Sequence, residues 1–278
     1  RKLKLSKNLD SLLKLKSFKK FNIEIILISN DYLSYNKILS QFKNKLKIKF
    51  FQENKIGLSH SRNKVLEVLR SSTFKYAAFF DDDCIISENW LLSMIKILKS
   101  QKADIVTGPQ ISKSKNIYLK IMERNQAHNT KTNWASTNNV FLDISAIKNK
   151  IRFSEKLNKI GGEDQLFFLK LNKLGKKIFW NSEAPVYELI DKKRENLIWF
   201  VKRNIRYGAS AVIIYKSLYG NIYGHFFLIF KLLFDLFKSL SSIIKIFISP
   251  KKNFYKFIMY MMRNFGLIIG LFGFQIRE

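Results

Sequence analysis

In the segment Tyr76-Ala77-Ala78-Phe79-Phe80-Asp81-Asp82-Asp83, a short apolar run is followed directly by three aspartates. Its apolar first part is too short for a typical helix and lacks polar alternation, which predicts a buried strand. Three carboxylates at the exit of such a strand repel one another unless a cation lies between them. A hard divalent cation that binds a phosphate is the usual solution. The alternative is a solvated acidic turn or a helix cap, because aspartate is common at both.

The composition limits the classes of protein to consider. The chain has 278 residues, 47% of them hydrophobic, which suits one large domain or two small ones. Its net charge of +29 points to an anionic partner, either nucleic acid or a membrane. Most of the basic residues are lysine, whereas proteins that read bases and phosphates rely on arginine. We therefore expect a lysine-rich background with attraction to a membrane surface, and no nucleic acid. Cys84 is the single cysteine, which excludes an intrachain disulfide and fits a reducing compartment.

Strands and helices alternate along the first part of the chain. This alternation predicts an α/β fold with a largely parallel sheet, in which ligands bind at the carboxyl ends of the strands. Asp31 and Asp81–Asp83 both follow predicted strands, so we expect them in one crevice. The polar region 110–145 predicts an irregular loop over that crevice. The predicted strands are Phe21–Ile28, Leu46–Phe51, Tyr76–Phe80 and Ile105-Val106, and the predicted helices are 3–16, Tyr35–Phe42, Ser59–Leu69 and Trp90–Leu98.

The last third of the chain is basic and strongly apolar. Within Phe226–Ser249, the polar residues fall in one narrow stripe at about 100° per residue, typical of an amphipathic helix in a membrane interface. Phe254–Phe274 is a second apolar stretch, whose Gly266 and Gly270 are spaced for close helix approach. The two stretches predict either a hairpin at the membrane surface or a spanning pair with a buried polar seam. The stripe consists of Lys231, Asp235, Lys238, Ser242 and Lys245.

We expect two domains, 1–190 and 191–278, of which the second associates with a membrane. The predicted location is the cytoplasmic face of a membrane, where the protein is peripheral, monotopic or anchored through its C-terminal helices.

Five segments follow one another in a fixed order over roughly residues 1–190. They are Phe21–Asp31; Glu53-Asn54-Lys55-Ile56-Gly57 with Ser61-Arg62-Asn63; Phe79–Asp83 with Trp90-Leu91; Asn138-Asn139-Val140-Phe141; and Gly161-Gly162-Glu163-Asp164. Through these segments the chain resembles the family 2 glycosyltransferases. The resemblance implies the GT-A fold, a Rossmann-like and mostly parallel sheet flanked by helices. Compared with the family pattern, the chain begins after the first strand, and the Q-x-x-R-W motif of processive enzymes is absent, which implies single-sugar addition.

The resemblance also implies roles for individual residues. Asp164 is the catalytic base, although Glu163 and Asp164 are equally typical of a helix cap. Arg62 contacts the base or the pyrophosphate of the donor, with an ordinary exposed helix arginine as the alternative. The remaining roles are donor binding by Asn30, Asp31, Arg62, Asp81 and Asp82, an acceptor side with Asn138, Asn139 and Glu163, and a Mg²⁺ or Mn²⁺ site with Asp83, Asp81 and Glu188.

The function that follows is that of an inverting, metal-dependent glycosyltransferase of the hexosyltransferase type. It would pass a sugar from a nucleotide-sugar donor to a hydroxyl of a glycan or lipid-linked acceptor, in lipid-linked or surface polysaccharide biosynthesis. Two alternatives remain open. One is a non-catalytic basic protein that binds a membrane surface or polyanions, and the other is a truncated, inactive transferase.

Overall fold

The computed structural model describes residues 1–16, 18–31, 35–148, 150–158 and 160–274. The chain divides into two compact units. The first consists of residues 1–113, 124–153 and 167–189, and it holds every strand of the described residues. The second consists of residues 114–123, 154–166 and 190–278 and is helical. The domain boundary at residue 190 stays a prediction.

The elements follow one another in the α/β manner that the sequence predicts. The strands are β1 (Glu24–Ser29), β2 (Lys47–Gln52), β3 (Tyr76–Phe79), β4 (Cys84–Ile86), β5 (Ile105–Thr107), β6 (Gln110–Ser112), β7 (Thr130–Thr132), β8 (Val140–Asp143), β9 (Ile178–Trp180) and β10 (Val186–Glu188). The helices are α1 (Lys2–Leu13), α2 (Asn36–Phe42), α3 (Leu58–Arg70), α4 (Trp90–Ser100), α5 (Ile117–Met122), α6 (Glu163–Lys173), α7 (Leu197–Ile244) and α8 (Pro250–Leu271).

Three sheets form within the first unit, in the orders β1-β2, β4-β10-β6 and β3-β8-β5-β9-β7. The pairs β1-β2, β5-β9 and β6-β10 are parallel, whereas the other pairs of described strands are antiparallel. The α/β class with flanking helices is confirmed, and the pairing is more mixed than expected. β7 and β8 run antiparallel to all of their partners in the five-stranded sheet.

The region 110–145 is not an irregular loop, and that expectation is wrong. It contains β6, α5, β7 and β8, and the last of these lies inside the five-stranded sheet. Strands of three or four residues are too short to show a hydrophobic period, and backbone pairing with neighbours stabilises them instead.

Both faces of the five-stranded sheet are buried. Successive side chains of a strand point to opposite faces, so the strands contribute to two cores. Val106 of β5 and Phe141 of β8 contribute to a core that includes Leu9 of α1 and Met94 of α4. The adjacent residues of the same strands, Ile105 and Leu142, contribute to a second core, which also includes Leu66 of α3 and Phe167 of α6. The sheet thus lies between helices on both sides.

The second unit is built from α5, α7 and α8. Gly220 interrupts α7 with a φ of 75°, a conformation that favours glycine. The rings of Tyr219 and Phe227 lie 4.3 Å apart across this point, so the chain folds back on itself there. Gly266 of α8 packs directly on the backbone of Ile205. Within the described part of the chain, none of the helices has the length and apolarity that crossing a membrane requires.

Candidate active site

Asp81–Asp83 form the turn that joins β3 to β4. The backbone N–H of Cys84 donates to the carbonyl of Asp81 at 3.3 Å, and that of Leu189 donates to the carbonyl of Asp83 at 2.8 Å. Cys84 pairs in register with Glu188 of the antiparallel β10. Backbone pairing therefore brings Glu188 beside the aspartate turn, although the two are about a hundred residues apart in sequence.

A cationic side chain lies near each of the carboxylates at these strand ends. Arg1 donates from Nε to Asp82 at 2.7 Å and from Nη1 to Asp31 at 2.9 Å. Lys4 Nζ lies 3.9 Å from Asp83, and Arg62 Nη2 lies 3.6 Å from Asp81. The repulsion that the sequence predicts among the carboxylates is thus offset by cations of the chain itself.

Arg1 shows that Asp31 and the aspartate turn converge, as the sequence predicts. Burial by itself lowers the pKa of the Arg1 guanidinium, but the hydrogen bond to Asp82 and the charges of Asp82, Tyr35 and Asp31 outweigh it, so the pKa is raised. Asp31 also accepts hydrogen bonds from Ser29 and from the hydroxyl of Tyr35, both at 2.8 Å. Burial and this hydrogen bond raise the pKa of Tyr35 to about 12, which keeps the donor proton in place.

One face of α1 contacts the aspartate turn and β4, which was not predicted from the sequence. Asn8 donates to the carbonyls of Cys84 and Asp81 at 2.8 and 3.3 Å, and Ser11 accepts from the N–H of Ile86. With Arg1 and Lys4, these residues have the spacing of one helix face. The sequence does contain a pattern that indicates this face, because these polar residues recur at helical spacing next to the leucines of the same helix.

Arg62 is not an ordinary exposed helix arginine, because only 12% of its side chain is exposed. Its guanidinium lies 5.9 Å from the centre of the Phe153 ring, in addition to its contact with Asp81. The neighbouring Asn63 fixes this segment, since its amide exchanges two hydrogen bonds with the backbone of Phe153. Packing thus holds Arg62 near the aspartate turn, where it was predicted to act.

Asn138 and Asn139, predicted on the acceptor side, differ in their surroundings. Asn138 donates to Gln110 and remains partly exposed. Asn139 is 0% exposed; it accepts from Trp90 Nε1 and donates to the carbonyls of Pro109 and Ala184. The side-chain amide of Asn139 therefore joins the segments at Pro109 and Ala184 and holds them in position.

Gly161-Gly162-Glu163-Asp164 belongs to the second unit and leads into α6. Both glycines have a φ of 91°, which side chains disfavour. Glu163 is buried, and Asp164 Oδ1 accepts from the backbone N–H of Gln165 at 2.7 Å. The Asp164 carboxylate thus lies at the N-terminal turn of α6, where the helix dipole stabilises its charge. This position is compatible with both predicted roles of Asp164, the helix cap and the catalytic base.

The donor set fits a divalent cation that arrives with a diphosphate. Asp81, Asp83 and Glu188 supply carboxylate oxygens, the ligands that Mg²⁺ and Mn²⁺ prefer. In the described ranges, His, Cys, Asp and Glu side chains form no group of three or more that is arranged to hold a metal ion. Magnesium commonly binds through one or two carboxylates plus substrate phosphates, and the aspartate turn suits that mode.

Comparison with known proteins gives a consistent result. The model of the family described as glycosyl transferase family 2 matches residues 1–164. The succinoglycan biosynthesis protein ExoM of Rhizobium meliloti (strain 1021) is 31% identical over 161 residues, which are 55% of this chain and 51% of that protein. The chain therefore spans about half the length of this curated relative.

Two solved structures share the fold. The TarS 1-349 structure from S. aureus has a TM-score of 0.53 at 15% identity, over 98% of this chain and 89% of that one. The structure of GalNAc-T7 with UDP, GalNAc and Mn²⁺ has a TM-score of 0.54 at 12% identity, over 74% of this chain and 47% of that one. At these identities the likeness shows the fold alone.

Proposed function

The chain belongs to glycosyl transferase family 2, and from this premise we propose that it transfers a sugar from a nucleotide-sugar donor to an acceptor hydroxyl with inversion. The acceptor is a glycan or a lipid-linked sugar of a surface polysaccharide. The relative named for succinoglycan biosynthesis supports this choice of acceptor class. The observation that carries the proposal is the aspartate turn with its ring of cationic side chains at the strand ends.

The aspartate turn is the donor site in this proposal. Arg62 and Lys4 contact Asp81 and Asp83, and the same cationic groups can neutralise the two phosphates of the donor. Asp31 and Asp82, held by Arg1, accept hydrogen bonds from the hydroxyls of the nucleoside. One or two carboxylates from among Asp83, Asp81 and Glu188 would hold a Mg²⁺ or Mn²⁺ ion together with the phosphates of the donor, and the ion would supply positive charge for the leaving diphosphate.

Asp164 is the general base in this proposal. Its carboxylate accepts the proton of the acceptor hydroxyl while that oxygen attacks the anomeric carbon of the donor sugar. A new carbon–oxygen bond forms, the bond to the diphosphate breaks, and the nucleoside diphosphate leaves with the electron pair. A single displacement of this kind inverts the anomeric centre and needs only one carboxylate. Asp164 lies in the first turn of α6.

Thermal unfolding with UDP-, GDP- and dTDP-sugars tests the donor site. We expect one of these donors to raise the melting temperature in the presence of Mn²⁺, because a ligand that binds only the folded state stabilises it. EDTA and Asp83→Asn should each remove this rise, whereas Asp10→Asn, at an exposed position of α1, should retain it. No rise with any donor would contradict the proposal and favour the non-catalytic alternative.

A further inference from the structure

The helices of the second unit bury polar side chains and expose apolar ones, the reverse of a water-soluble helix pair. Asp235 of α7 is 4% exposed and accepts from Lys231 at 2.9 Å. The Lys238 ammonium lies 4.2 Å from the Phe234 ring and 5.7 Å from the Tyr260 ring of α8. The predicted polar stripe of α7 thus faces a neighbouring helix over most of its length. Other buried polar residues of these helices are Asn204, Arg206, Ser210, Ser239, Ser242, Asn253 and Asn264.

Most of the exposed apolar residues of the second unit lie between Ile222 and Phe274, and we call this set the outer face. It is contributed by the second arm of α7, which is the part after Gly220, by the turn between α7 and α8, by α8, and by the residues just after α8. On the second arm of α7 the exposed apolar side chains cover about 200° of the helix circumference. Its members are Ile222, Tyr223, Phe226, Phe227, Ile229, Phe230, Leu233, Phe234, Leu236, Phe237, Leu240, Ile243, Ile244, Phe247, Ile248, Phe254, Met261, Phe265, Ile268, Leu271, Phe272 and Phe274.

The outer face is larger than the apolar patches of ordinary soluble proteins. If an exposed phenylalanine offers about 200 Å², its phenylalanines alone present on the order of 1,000 Å². The largest patch on a typical monomer is about 300–600 Å². Phe247 at the turn is the most accessible of them, with 93% of its surface exposed, and Ile248 beside it is 83% exposed. A surface of this size and width needs a partner that surrounds more than one side of a helix.

The charge distribution selects the partner. Residues 197–274 contain eleven lysines and arginines and a single acidic residue, Asp235, which is buried against Lys231. Lys245, Lys251 and Lys252 are exposed beside Phe247 and Ile248. A second copy of the chain would bring a cationic surface against a cationic surface, which is repulsive. An anionic lipid bilayer instead offers acyl chains to the outer face and headgroups to the lysines.

We propose that the outer face binds the surface of an anionic lipid bilayer, with the α7–α8 turn inserted at the level of the headgroups. Phe247 and Ile248 enter the acyl boundary, while the long side chains of Lys245, Lys251 and Lys252 extend to lipid phosphates. The buried polar stripe joins the helices to one another and takes no part in lipid binding. This inference concerns binding alone and holds whether or not the donor assignment is correct.

Co-sedimentation of the full chain with vesicles tests the inference. The probes are vesicles of phosphatidylcholine alone and of phosphatidylcholine mixed with phosphatidylglycerol. We expect binding to the mixed vesicles to fall at least about tenfold in F247S/I248S, because apolar burial is lost. It should fall about fivefold for each lysine replaced in K251E/K252E. Leu174→Ser, which replaces an exposed leucine of the first unit, is the control and should bind like wild type.

A fluorescent reporter keeps the test independent of stability. Phe247→Trp should show a blue shift with the mixed vesicles, whereas Leu174→Trp should not. A wild-type chain that stays in solution with both kinds of vesicle would overturn the proposal. So would a stable dimer in solution that F247S/I248S dissociates, since that result assigns the outer face to a second copy.

Discussion

At the scale of single residues, the geometry of the candidate site depends on Arg1, whose one positive charge is shared between two aspartates. Arg1 bridges Asp31 and Asp82, and both partners are partly exposed, so water screens this arrangement and limits its contribution to stability. Its effect is on position, because two hydrogen bonds from one planar guanidinium fix two carboxylates relative to each other. The residues that would contact the donor are thereby ordered before it binds.

Cys84 provides a test of burial next to the aspartate turn. Burial raises the pKa of its thiol above the ordinary value of 9.0, with further contributions from the charges of Asp81, Asp83 and Glu188. The raised pKa favours the neutral thiol, which is unreactive. We expect the folded protein to resist a thiol reagent in mildly alkaline buffer and to react fully in urea. Rapid labelling of the folded chain would contradict this placement.

The same shift predicts a dependence of stability on pH. A thiol whose pKa is raised on folding contributes stability below its unfolded pKa of 9.0, and this contribution is lost as the pH rises above that value. Urea unfolding across this pH range measures the free energy of unfolding of wild type and of Cys84→Ser. We expect wild type to lose stability relative to Cys84→Ser as the pH rises above 9.0.

At the element scale, α1 supports the aspartate turn through Asn8. Its amide donates to the carbonyls of Cys84 and Asp81, and the side chain is buried. Asn8→Ala should lower the free energy of unfolding by about 2 kcal/mol, because two carbonyl groups lose their donor in a buried setting. Urea unfolding measures the change, and Lys7→Ala at an exposed neighbouring position is the matched control. Equal stabilities of the two variants would show that α1 does not support the turn.

The two glycines before α6 separate backbone strain from packing. Both have a φ of 91°, but a Cβ at Gly161 meets nothing within 4 Å, whereas one at Gly162 lies 3.0 Å from Ile214 Cδ1. Gly161→Ala should cost about 1–2 kcal/mol from strain alone. Gly162→Ala should cost about 1–3 kcal/mol more, because the side chain also crowds its neighbour. Thermal unfolding of both variants checks the order, and the reverse order would refute this explanation.

Long strands and amphipathic helices were predictable, since each shows its period over many residues. β1, β2 and β3 and helices α3 and α4 lie close to their predicted positions. β6 and β7 were missed because three residues carry no period and their partners are distant in sequence. In the site, Asp31 and Asp81–Asp83 were predicted from strand ends. Arg1, Lys4 and Tyr35 were not, because their role depends on tertiary contacts.

At the scale of the whole molecule, net charge and hydrophobicity are unevenly distributed. The first unit has cores on both faces of its five-stranded sheet, and its exposed apolar residues are scattered. The second unit combines a buried polar stripe with the outer face. The large positive charge predicted an anionic partner. The sequence alone left open whether the last two helices form a hairpin at a membrane surface or a spanning pair. The pattern of buried polar and exposed apolar residues supports the proposed binding to a lipid surface.

We propose that the chain transfers a sugar with Asp164 as the general base. The most direct measurement is the rate of sugar transfer by the full chain, with the donor that stabilises it and with lipid-linked acceptors, for wild type and Asp164→Asn. We predict that the variant loses at least about a hundredfold in kcat, while donor binding is unchanged, because only proton transfer is removed. Asp10→Asn should transfer at the wild-type rate. Transfer by Asp164→Asn at the wild-type rate would contradict the account.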